Sequence, residues 1–258
     1  MKYRAYGHKG PRFISNCLFG NRGKFGLTPD ENDPAWIEWT AAYHLFYEST
    51  QKSGIGSTIN NAGYKILRDV IFEGTRIIEV GPGGLNHMLY WNGKPDFYAM
   101  VDLDEKFLVN ASTKLSAENI SHDIRLTTRD SQGVLPAADN EFDILVTFYS
   151  LEHLYPFEQH LEDMLRVLKP GGLIVGAIPA EGGLAWGLGR YVTSRRWLRN
   201  NTGIDPDKII CWEHPTMSDE ILSSLSGKMD LKKLVYWPMG LSSIDLNLIL
   251  KFIFRKPA

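Results

Sequence analysis

The sequence predicts an α/β protein with a doubly wound, mostly parallel sheet. Between residues 75 and 178, short apolar runs typical of buried strands alternate with segments whose apolar residues recur at helical spacing. Before the fifth predicted strand, Leu161, Met164, Leu165 and Leu168 form such a helical stripe. The chain has 258 residues and is 43% hydrophobic, which suffices for one globular domain with additions.

A glycine-rich turn follows the first predicted strand. Three apolar residues, Ile77, Ile78 and Val80, flank Glu79, and glycines follow, among them Gly81 and Gly83. Glycines there let the backbone approach a ligand closely. The dinucleotide pattern G-x-G-x-x-G fails because its last position is Asn86, and the Gly-Lys-Ser/Thr of a P-loop is absent. Since Glu79 would repel a pyrophosphate, we expect a ligand that is uncharged or cationic here. S-adenosylmethionine, with its sulfonium and ammonium groups, meets that requirement.

Polar residues end the following predicted strands. Asp102 comes 23 residues after the first acid, where a carboxylate can accept hydrogen bonds from ribose hydroxyls. Leu103 next to it is placed to cover one face of an adenine. Asp130, followed by Ser131, is placed to bind the adenine amino group, or else to end a strand or cap a helix. Tyr149 after the fourth strand faces the methionine moiety or packs in the core.

Two further segments complete an ordered set of motifs. Leu-Glu-His-Leu at 151–154 follows the fourth predicted strand, and Lys-Pro-Gly-Gly at 169–172 precedes the fifth. With the glycine loop and its acids, they resemble the class I S-adenosylmethionine-dependent methyltransferases (the type 11-like branch) over roughly residues 74–180. The resemblance implies a Rossmann-like seven-stranded sheet with an antiparallel last strand, S-adenosylmethionine as cofactor, and enzymatic methyl transfer. The family usually has a glycine where this chain has Leu85, which leaves the backbone path around the methionine moiety open.

The resemblance also divides the chain. Residues 1–73 are expected to form an N-terminal extension with capping helices, and residues 74–258 the methyltransferase domain. Residues 180–217 interrupt the strand–helix alternation and are expected to form an insertion that binds the acceptor. Two closing strands are predicted over 231–237 and 244–254.

The N-terminal extension itself is predicted to be half irregular. Residues 1–33 are rich in Gly, Arg, Asn and Pro and carry no helical pattern. A helix is predicted to begin at Pro34, with Asp33 as its N-cap. Glycines from position 54 onward are expected to end it, and a second helix is predicted over 60–72.

Histidines near the predicted cleft are candidates for a general base, because histidine titrates near neutral pH. His153, in the segment after the fourth strand, is the first candidate. His214, in the insertion, is the second. His87 after the glycine loop either contributes or caps the next helix. Acceptors whose reacting atom carries no proton need no base, so the resemblance alone does not require one.

The insertion carries arginines interleaved with aromatic residues. Arg190, Arg195 and Arg196 either form a solvated helix face or bind an anionic acceptor, since arginine grips phosphate and carboxylate bidentately. We favour acceptor binding and expect a small, anionic acceptor that is phosphorylated, nucleotide-linked or a sugar. Such an acceptor would belong to surface-polysaccharide or secondary-metabolite biosynthesis. Tyr43 and Tyr47 of the first long helix are expected to close the other side of its site.

Other functions have less support in the sequence. The net charge is −2 and there is no basic stripe, so we expect no nucleic-acid partner, and no apolar run predicts a membrane partner. Cys17 and Cys211 are isolated and predict neither a disulfide framework nor a metal site. A cytoplasmic location is expected, and no oligomeric state is predicted. The alternatives are a non-catalytic partner subunit that binds S-adenosylmethionine and a methyltransferase acting on a macromolecule.

Overall fold

The computed structural model describes residues 3–46, 54–128 and 134–258. Its seven strands form a single sheet. These strands are β1 (Arg76–Val80), β2 (Phe97–Asp102), β3 (His122–Leu126), β4 (Phe142–Phe148), β5 (Leu168–Pro179), β6 (Asp230–Trp237) and β7 (Ile249–Arg255).

The described residues also form α-helices, some only one turn long. They are α1 (Tyr6–Lys9), α2 (Arg12–Phe19), α3 (Arg22–Phe25), α4 (Pro34–Phe46), α5 (Gly54–Tyr64), α6 (Glu105–Ala117), α7 (Phe157–Val167), α8 (Leu184–Val192), α9 (Ser194–Asn201), α10 (Pro206–Glu213) and α11 (Ser218–Lys228). None of these helices combines the length and the apolar character that crossing a membrane requires.

The strand order confirms the predicted fold class. In space the order is β3-β2-β1-β4-β5-β7-β6. Neighbouring strands from β3 to β5 are parallel, whereas β7 runs antiparallel to both β5 and β6. The order reverses between β1 and β4, and open parallel sheets bind ligands in the crevice at such a reversal, beyond the carboxyl ends of the strands.

The sheet has a hydrophobic core on each face. Successive residues of a strand point to opposite faces, so Ile77 and Ile78 of β1 enter different cores. The core on the side of Ile78 includes α7 and α11, and the core on the side of Ile77 includes α5 and α6. Because both faces of β1 and β4 are covered, their carboxyl ends are held rigidly beside the crevice.

The expectation of an irregular segment over residues 1–33 is wrong. This stretch contains the short helices α1, α2 and α3. Gly20 and Gly26, with φ of +77° and +72°, follow α2 and α3 at their C-terminal ends. A left-handed glycine is a common way to end a helix, so the glycines that suggested a loop are helix ends.

The start of α4 is as predicted, but that of α5 is not. The Asp33 side chain accepts a hydrogen bond from the backbone N–H of Ala35 at 2.8 Å, which confirms it as the N-cap. The helix predicted over 60–72 already begins at Gly54, because packing against β5 and β7 overrides the low helix propensity of glycine. The helix also ends earlier than predicted, at Tyr64, and Ile71 near the end of the predicted range is 67% exposed.

The N-terminal helices are joined to the insertion over 180–217. The backbone N–H of His8 donates to the carbonyl of Gly182 at 2.8 Å. The indole N–H of Trp212 donates to the carbonyl of Phe25 at 2.9 Å. These two parts of the chain therefore form one continuous roof beside the sheet. The division of the chain at residue 73 stays a prediction.

Candidate active site

One large cavity opens at the carboxyl ends of β1, β2 and β4. Its volume is about 1640 Å³. Pockets for single small ligands are typically about 300–1,000 Å³, so this one has room for two ligands side by side. The predicted site residues that line it are Tyr43, Glu79, Gly81, Gly83, Asp102, Leu103, Tyr149, His153, Arg190 and His214.

The loop after β1 has a backbone that glycine adopts readily and other residues rarely. Gly81 and Gly83 have φ of +73° and +50°. A Cβ on Gly81 would lie 2.1 Å from Oγ of Ser150. Leu85 is also left-handed, with φ of +49°, and its side chain is buried in the core. The backbone thus keeps at Leu85 a conformation favoured by glycine, and core packing offsets a strain of about 1–2 kcal/mol.

Glu79 borders the cavity but both of its carboxylate oxygens are engaged by the protein. Oε2 accepts a hydrogen bond from the Tyr98 hydroxyl at 2.7 Å, and Oε1 lies 2.8 Å from Nε2 of His87. The Trp91 indole donates to Nδ1 of His87 at 2.9 Å, so Nε2 is the nitrogen that donates to Glu79. The negative charge that we expect to disfavour a pyrophosphate therefore lies buried behind the loop, with both carboxylate oxygens hydrogen-bonded within the protein. His87 does not cap a helix. It holds the glycine loop in place through its hydrogen bonds to Glu79 and Trp91.

Asp102 directs its carboxylate into the cavity at the end of β2. One oxygen accepts a hydrogen bond from the backbone N–H of Asp104 at 3.0 Å. Burial raises the pKa of Asp102 to about 6, although backbone hydrogen bonds from Asp104 and Leu103 act in the opposite direction. The carboxylate is thus ionised at neutral pH and becomes protonated under mildly acidic conditions.

This pKa predicts a pH-dependent affinity for S-adenosylmethionine. If the ionised carboxylate of Asp102 accepts the ribose hydroxyls, affinity is highest above pH 6 and falls by up to about tenfold per pH unit below it. Asp102→Asn should weaken binding by about 1.5–3 kcal/mol at neutral pH and remove that acidic decline. Calorimetric titration from pH 5 to pH 8 measures both effects, with Asp123→Asn, outside the cavity, as the matched control. Unchanged affinity in Asp102→Asn would contradict the ribose-binding role.

The side chain of Tyr149 has a structural role. Its backbone is left-handed, with φ of +56°. Its hydroxyl donates to the carbonyls of Ile59 and Asn60 in α5, at 3.2 Å each. A Cβ on Gly63 would lie 2.1 Å from that hydroxyl, so the close approach of α5 requires glycine. Of the two sequence interpretations, packing describes this side chain, which fixes α5 against the end of β4.

Two carboxylate–histidine pairs meet beyond β4, on the insertion side of the cavity. Nδ1 of His153 lies 3.3 Å from a Glu213 oxygen, and its Nε2 lies 4.0 Å from Glu152. Nδ1 of His214 lies 2.8 Å from a Glu181 oxygen. The two imidazole centroids are 4.8 Å apart, with the rings inclined at 69°.

Glu181 is shared between His214 and two other donors. The guanidinium of Arg190 forms two hydrogen bonds to the carboxylate, at 2.7 and 2.8 Å. The indole of Trp186 donates to it at 2.9 Å. Burial disfavours the charged carboxylate, but Arg190 and His214 outweigh that effect and hold the pKa of Glu181 well below its usual range. Arg190 is therefore committed to Glu181, although it lines the cavity.

The two histidines differ in charge at neutral pH. Burial disfavours protonation of His153, but the hydrogen bond to Glu213 and the charge of Glu152 outweigh it and raise the pKa of His153 to about 9. Burial also dominates at His214 and lowers its pKa, despite the hydrogen bond to Glu181. His153 is thus an imidazolium at neutral pH. His214 is neutral, donates through Nδ1, and keeps its lone pair on Nε2.

Glu152 carries a buried carboxyl oxygen that has no hydrogen-bond partner among the residues described. Burial raises its pKa to about 7, against the opposing charge of His153. A water or a ligand in the cavity can supply the partner of such a buried polar atom.

Arg195 and Arg196 do not reach the cavity, and the prediction that they bind the acceptor there is wrong. Arg195 is 2% exposed and forms an ion pair with Asp207 of α10. Arg196 is exposed on the surface of α9. The face of α9 that lines the cavity carries Ser194 and Leu198. Helical phase therefore turns both arginines away from the site.

Helix α4 closes the cavity opposite the sheet. Tyr43 lines it, and the indole of Trp39 donates to Glu213 at 2.8 Å. This contact supports the prediction that α4 covers the site. The predicted site residues Tyr47, Asp130 and Ser131 lie outside the described residues.

Sequence reasoning missed the carboxylates that orient the histidines. Glu181 lies just past the end of β5, where the rule that identified Asp102 would also have identified it. Glu213 directly precedes His214, but adjacency in sequence gives no hint that it pairs with His153 instead. No sequence pattern indicated a role for Arg22, which lies in a segment expected to be irregular. Its guanidinium donates a hydrogen bond to the carbonyl of His214 at 2.7 Å.

A family model described as a methyltransferase domain matches residues 78–176, from within β1 to within β5. Among curated relatives, a ubiquinone/menaquinone biosynthesis C-methyltransferase UbiE of Azotobacter vinelandii is 27% identical over 171 residues, 56% of this chain and 66% of that protein. A malonyl-[acyl-carrier protein] O-methyltransferase of Buchnera aphidicola is 26% identical over 157 residues, 60% of this chain and 61% of that protein. The chain thus spans about two thirds or less of these relatives.

Solved structures share the fold at low identity. The [4+2]-cyclase SpnF has a TM-score of 0.59 and 12% identity, covering 91% of this chain and 98% of that one. A SAM-dependent methyltransferase from Aquifex aeolicus has a TM-score of 0.52 and 15% identity, covering 81% and 97%. At such identities the likeness shows the fold alone. A cyclase among these structures is a reminder that this fold does not fix the reaction.

Proposed function

We propose that this chain, which matches a methyltransferase domain over residues 78–176, is a class I S-adenosylmethionine-dependent methyltransferase that transfers the cofactor's methyl group to an oxygen or nitrogen of a small acceptor. One observation carries the proposal: the cofactor-binding positions and the two carboxylate–histidine pairs line a single cavity. A cofactor held at the ends of β1 and β2 would leave the histidine side of the cavity for an acceptor.

The residues present fit the cofactor. Gly81 and Gly83 allow the backbone to approach the methionine moiety, and the buried charge of Glu79 behind them favours a cationic group. We assign the ribose hydroxyls to Asp102 and one adenine face to Leu103, which both line the cavity. Bound S-adenosylmethionine supplies an electrophilic methyl carbon, whose bond to sulfur breaks with the electron pair staying on sulfur as the acceptor atom attacks.

We assign the general base to His214 in place of His153, the first candidate from the sequence. A base must be unprotonated before the reaction, and the raised pKa of His153, about 9, keeps that ring charged at neutral pH. His214 is neutral, and the Glu181 carboxylate orients it through Nδ1 so that Nε2 is the atom that takes the proton. Arg190 and Trp186 in turn fix Glu181. The protein's task is to align the acceptor, exclude water and receive this proton.

Aromatic residues line the part of the cavity that we assign to the acceptor, and the arginine there already forms an ion pair. Trp39, Tyr43 and Trp186 line it, and Arg190, which also lines it, is bound to Glu181. The expectation of an anionic acceptor rested on Arg190, Arg195 and Arg196. Arg190 is paired with Glu181, and the other two do not line the cavity. The similar proteins are a C-methyltransferase of quinone biosynthesis and an O-methyltransferase of malonyl-[acyl-carrier protein], and their names point to no common acceptor. We propose a small acceptor bound mainly by apolar and aromatic contacts.

The two histidines predict a bell-shaped pH profile of kcat. Activity rises as His214 loses its proton, at a pH below the ordinary histidine range because burial lowers its pKa. It falls again as His153 loses its proton at about pH 9. In His153→Gln the alkaline limb should disappear while the acid limb remains. An alkaline limb unchanged in that variant would show that His153 does not need its charge.

Two measurements test the proposed function. Calorimetric titration with S-adenosylmethionine tests cofactor binding, and no binding would refute the proposal. A metabolite library incubated with protein and cofactor, followed by mass spectrometry, should show one compound gaining the mass of one methyl group. His214→Gln, which should retain cofactor affinity, is the control for product formed without the protein's base.

A further inference from the structure

We propose that the acceptor presents an ionisable hydroxyl on a planar ring, a phenol or an enol, and that His153 and His214 together select it. This proposal rests on the methyl transfer proposed above and decides between oxygen and nitrogen as the methylated atom. It follows from the different surroundings of two imidazoles whose centroids are only 4.8 Å apart.

The geometry gives the two rings different charges. His153 has a carboxylate near each nitrogen, Glu213 at 3.3 Å and Glu152 at 4.0 Å, which favours protonation of both nitrogens. The carboxylate nearest to His214 is Glu181, at 2.8 Å, and its charge is already shared with the guanidinium of Arg190. The raised pKa of His153 and the lowered pKa of His214 agree with this arrangement. One side of the cavity therefore presents a base next to a fixed cation.

A base beside a cation suits an acceptor that develops negative charge. When a hydroxyl gives its proton to Nε2 of His214, the oxygen becomes anionic, and the neighbouring His153 imidazolium stabilises it. The oxygen then forms the bond to the methyl carbon, and the product ether is neutral. An amine would instead gain positive charge next to His153, which the same cation disfavours. A carboxylate acceptor has no proton to give and would meet the buried acids Glu152 and Glu213.

The walls of this region fit a flat ring. The indoles of Trp39 and Trp186 line the cavity, and each is hydrogen-bonded to the carboxylate that pairs with one of the two histidines. Tyr43 packs edge-on against Trp39, with centroids 5.7 Å apart. Aromatic walls bind planar rings by stacking and edge contacts. They also supply low polarity around the histidines, which strengthens the effect of a charged imidazole on a nearby oxygen.

Chromophoric probes test this without turnover. The full chain is loaded with S-adenosylhomocysteine and titrated with 4-nitrophenol, whose phenolate absorbs at a longer wavelength than the phenol. We expect the bound probe to ionise more readily than free probe, with the ratio of phenolate to phenol raised about tenfold, equal to one pKa unit. The amine 4-nitroaniline and the carboxylate 4-nitrobenzoate, similar in size, should bind more weakly.

Variants identify the group responsible. His153→Gln should remove the shift in phenol ionisation while S-adenosylhomocysteine affinity stays unchanged. His160→Gln alters another histidine of the same cavity and should keep the shift. A 4-nitrophenol that fails to bind, binds without ionising, or shifts equally in His153→Gln overturns the inference, as does preferred binding of the amine or the carboxylate. Loss of S-adenosylhomocysteine binding to the wild type would instead refute the proposed function.

Discussion

His214→Gln should lower turnover of the methylated acceptor by about 10²–10⁴ and leave the affinity for S-adenosylmethionine near that of the wild type. The reason is that Gln preserves much of the shape of the side chain but cannot take the acceptor's proton. Because His214 is oriented through Nδ1 by Glu181, at 2.8 Å, its loss removes an aligned base. Single-turnover kinetics with saturating cofactor measure the chemical step directly.

The matched control for this effect is His160→Gln. His160 lines the same cavity but lies on α7 and belongs to neither carboxylate–histidine pair. It should retain nearly full activity. If His214→Gln is as active as this control, either His153 is the base after all or the acceptor gives up no proton in the rate-limiting step. The pH profile of the residual activity separates these outcomes, since only a titrating base produces an acid limb.

The second large effect is expected at the glycine loop. Gly81→Ala should reduce S-adenosylmethionine affinity at least about tenfold, because alanine at φ of +73° carries a strain of about 1–2 kcal/mol. Its Cβ would also lie 2.1 Å from Oγ of Ser150. The loop must then leave the path that we propose brings its backbone to the cofactor. Calorimetry measures the affinity, and circular dichroism checks that the fold is retained.

Two further variants separate strain from steric clash. Gly84→Ala lies in the same loop without a positive φ, and its Cβ would meet Asn86 at an ordinary 3.4 Å, so it should bind the cofactor nearly normally. The double variant Gly81→Ala/Ser150→Ala removes the shorter contact, with Oγ of Ser150, but keeps the 2.9 Å contact with the Cβ of residue 150 and the backbone strain. It should recover only part of the lost affinity. Wild-type affinity in Gly81→Ala itself would mean that this loop does not contact the cofactor.

The parts of the site that are local in sequence could be predicted, and those that depend on distant contacts could not. Gly81, Gly83 and Asp102 directly follow buried strands, and strand polarity alone takes them to the edge that lines the cavity. The partners of His153 and His214 depend on how the insertion folds back onto the sheet. No local pattern specifies that.

Helical phase explains the error at the arginines. A run of charges fixes neither which side of a short helix faces inward nor whether a charge is already paired. Arg195 points inward to Asp207, Arg196 points outward, and Arg190 is held by Glu181. The prediction that residues 1–33 are irregular was wrong for a related reason. Gly20 and Gly26 end short helices, whose stability comes from packing and not from their own sequence.

The hydrogen bond from Arg22 to the carbonyl of His214 joins an early part of the chain to a late one, so it can form only after most of the chain has been synthesised. Arg22 leaves the ribosome early, whereas the base it holds comes from nearly two hundred residues later in the chain. The glycine loop and Asp102 come from the consecutive strands β1 and β2. In a growing chain the residues assigned to the cofactor are therefore all present before His214 and its contact with Arg22. Substitutions in α10, which lines the cavity with Ile209, Ile210 and Glu213, would change this part of the wall without altering the strands β1 and β2.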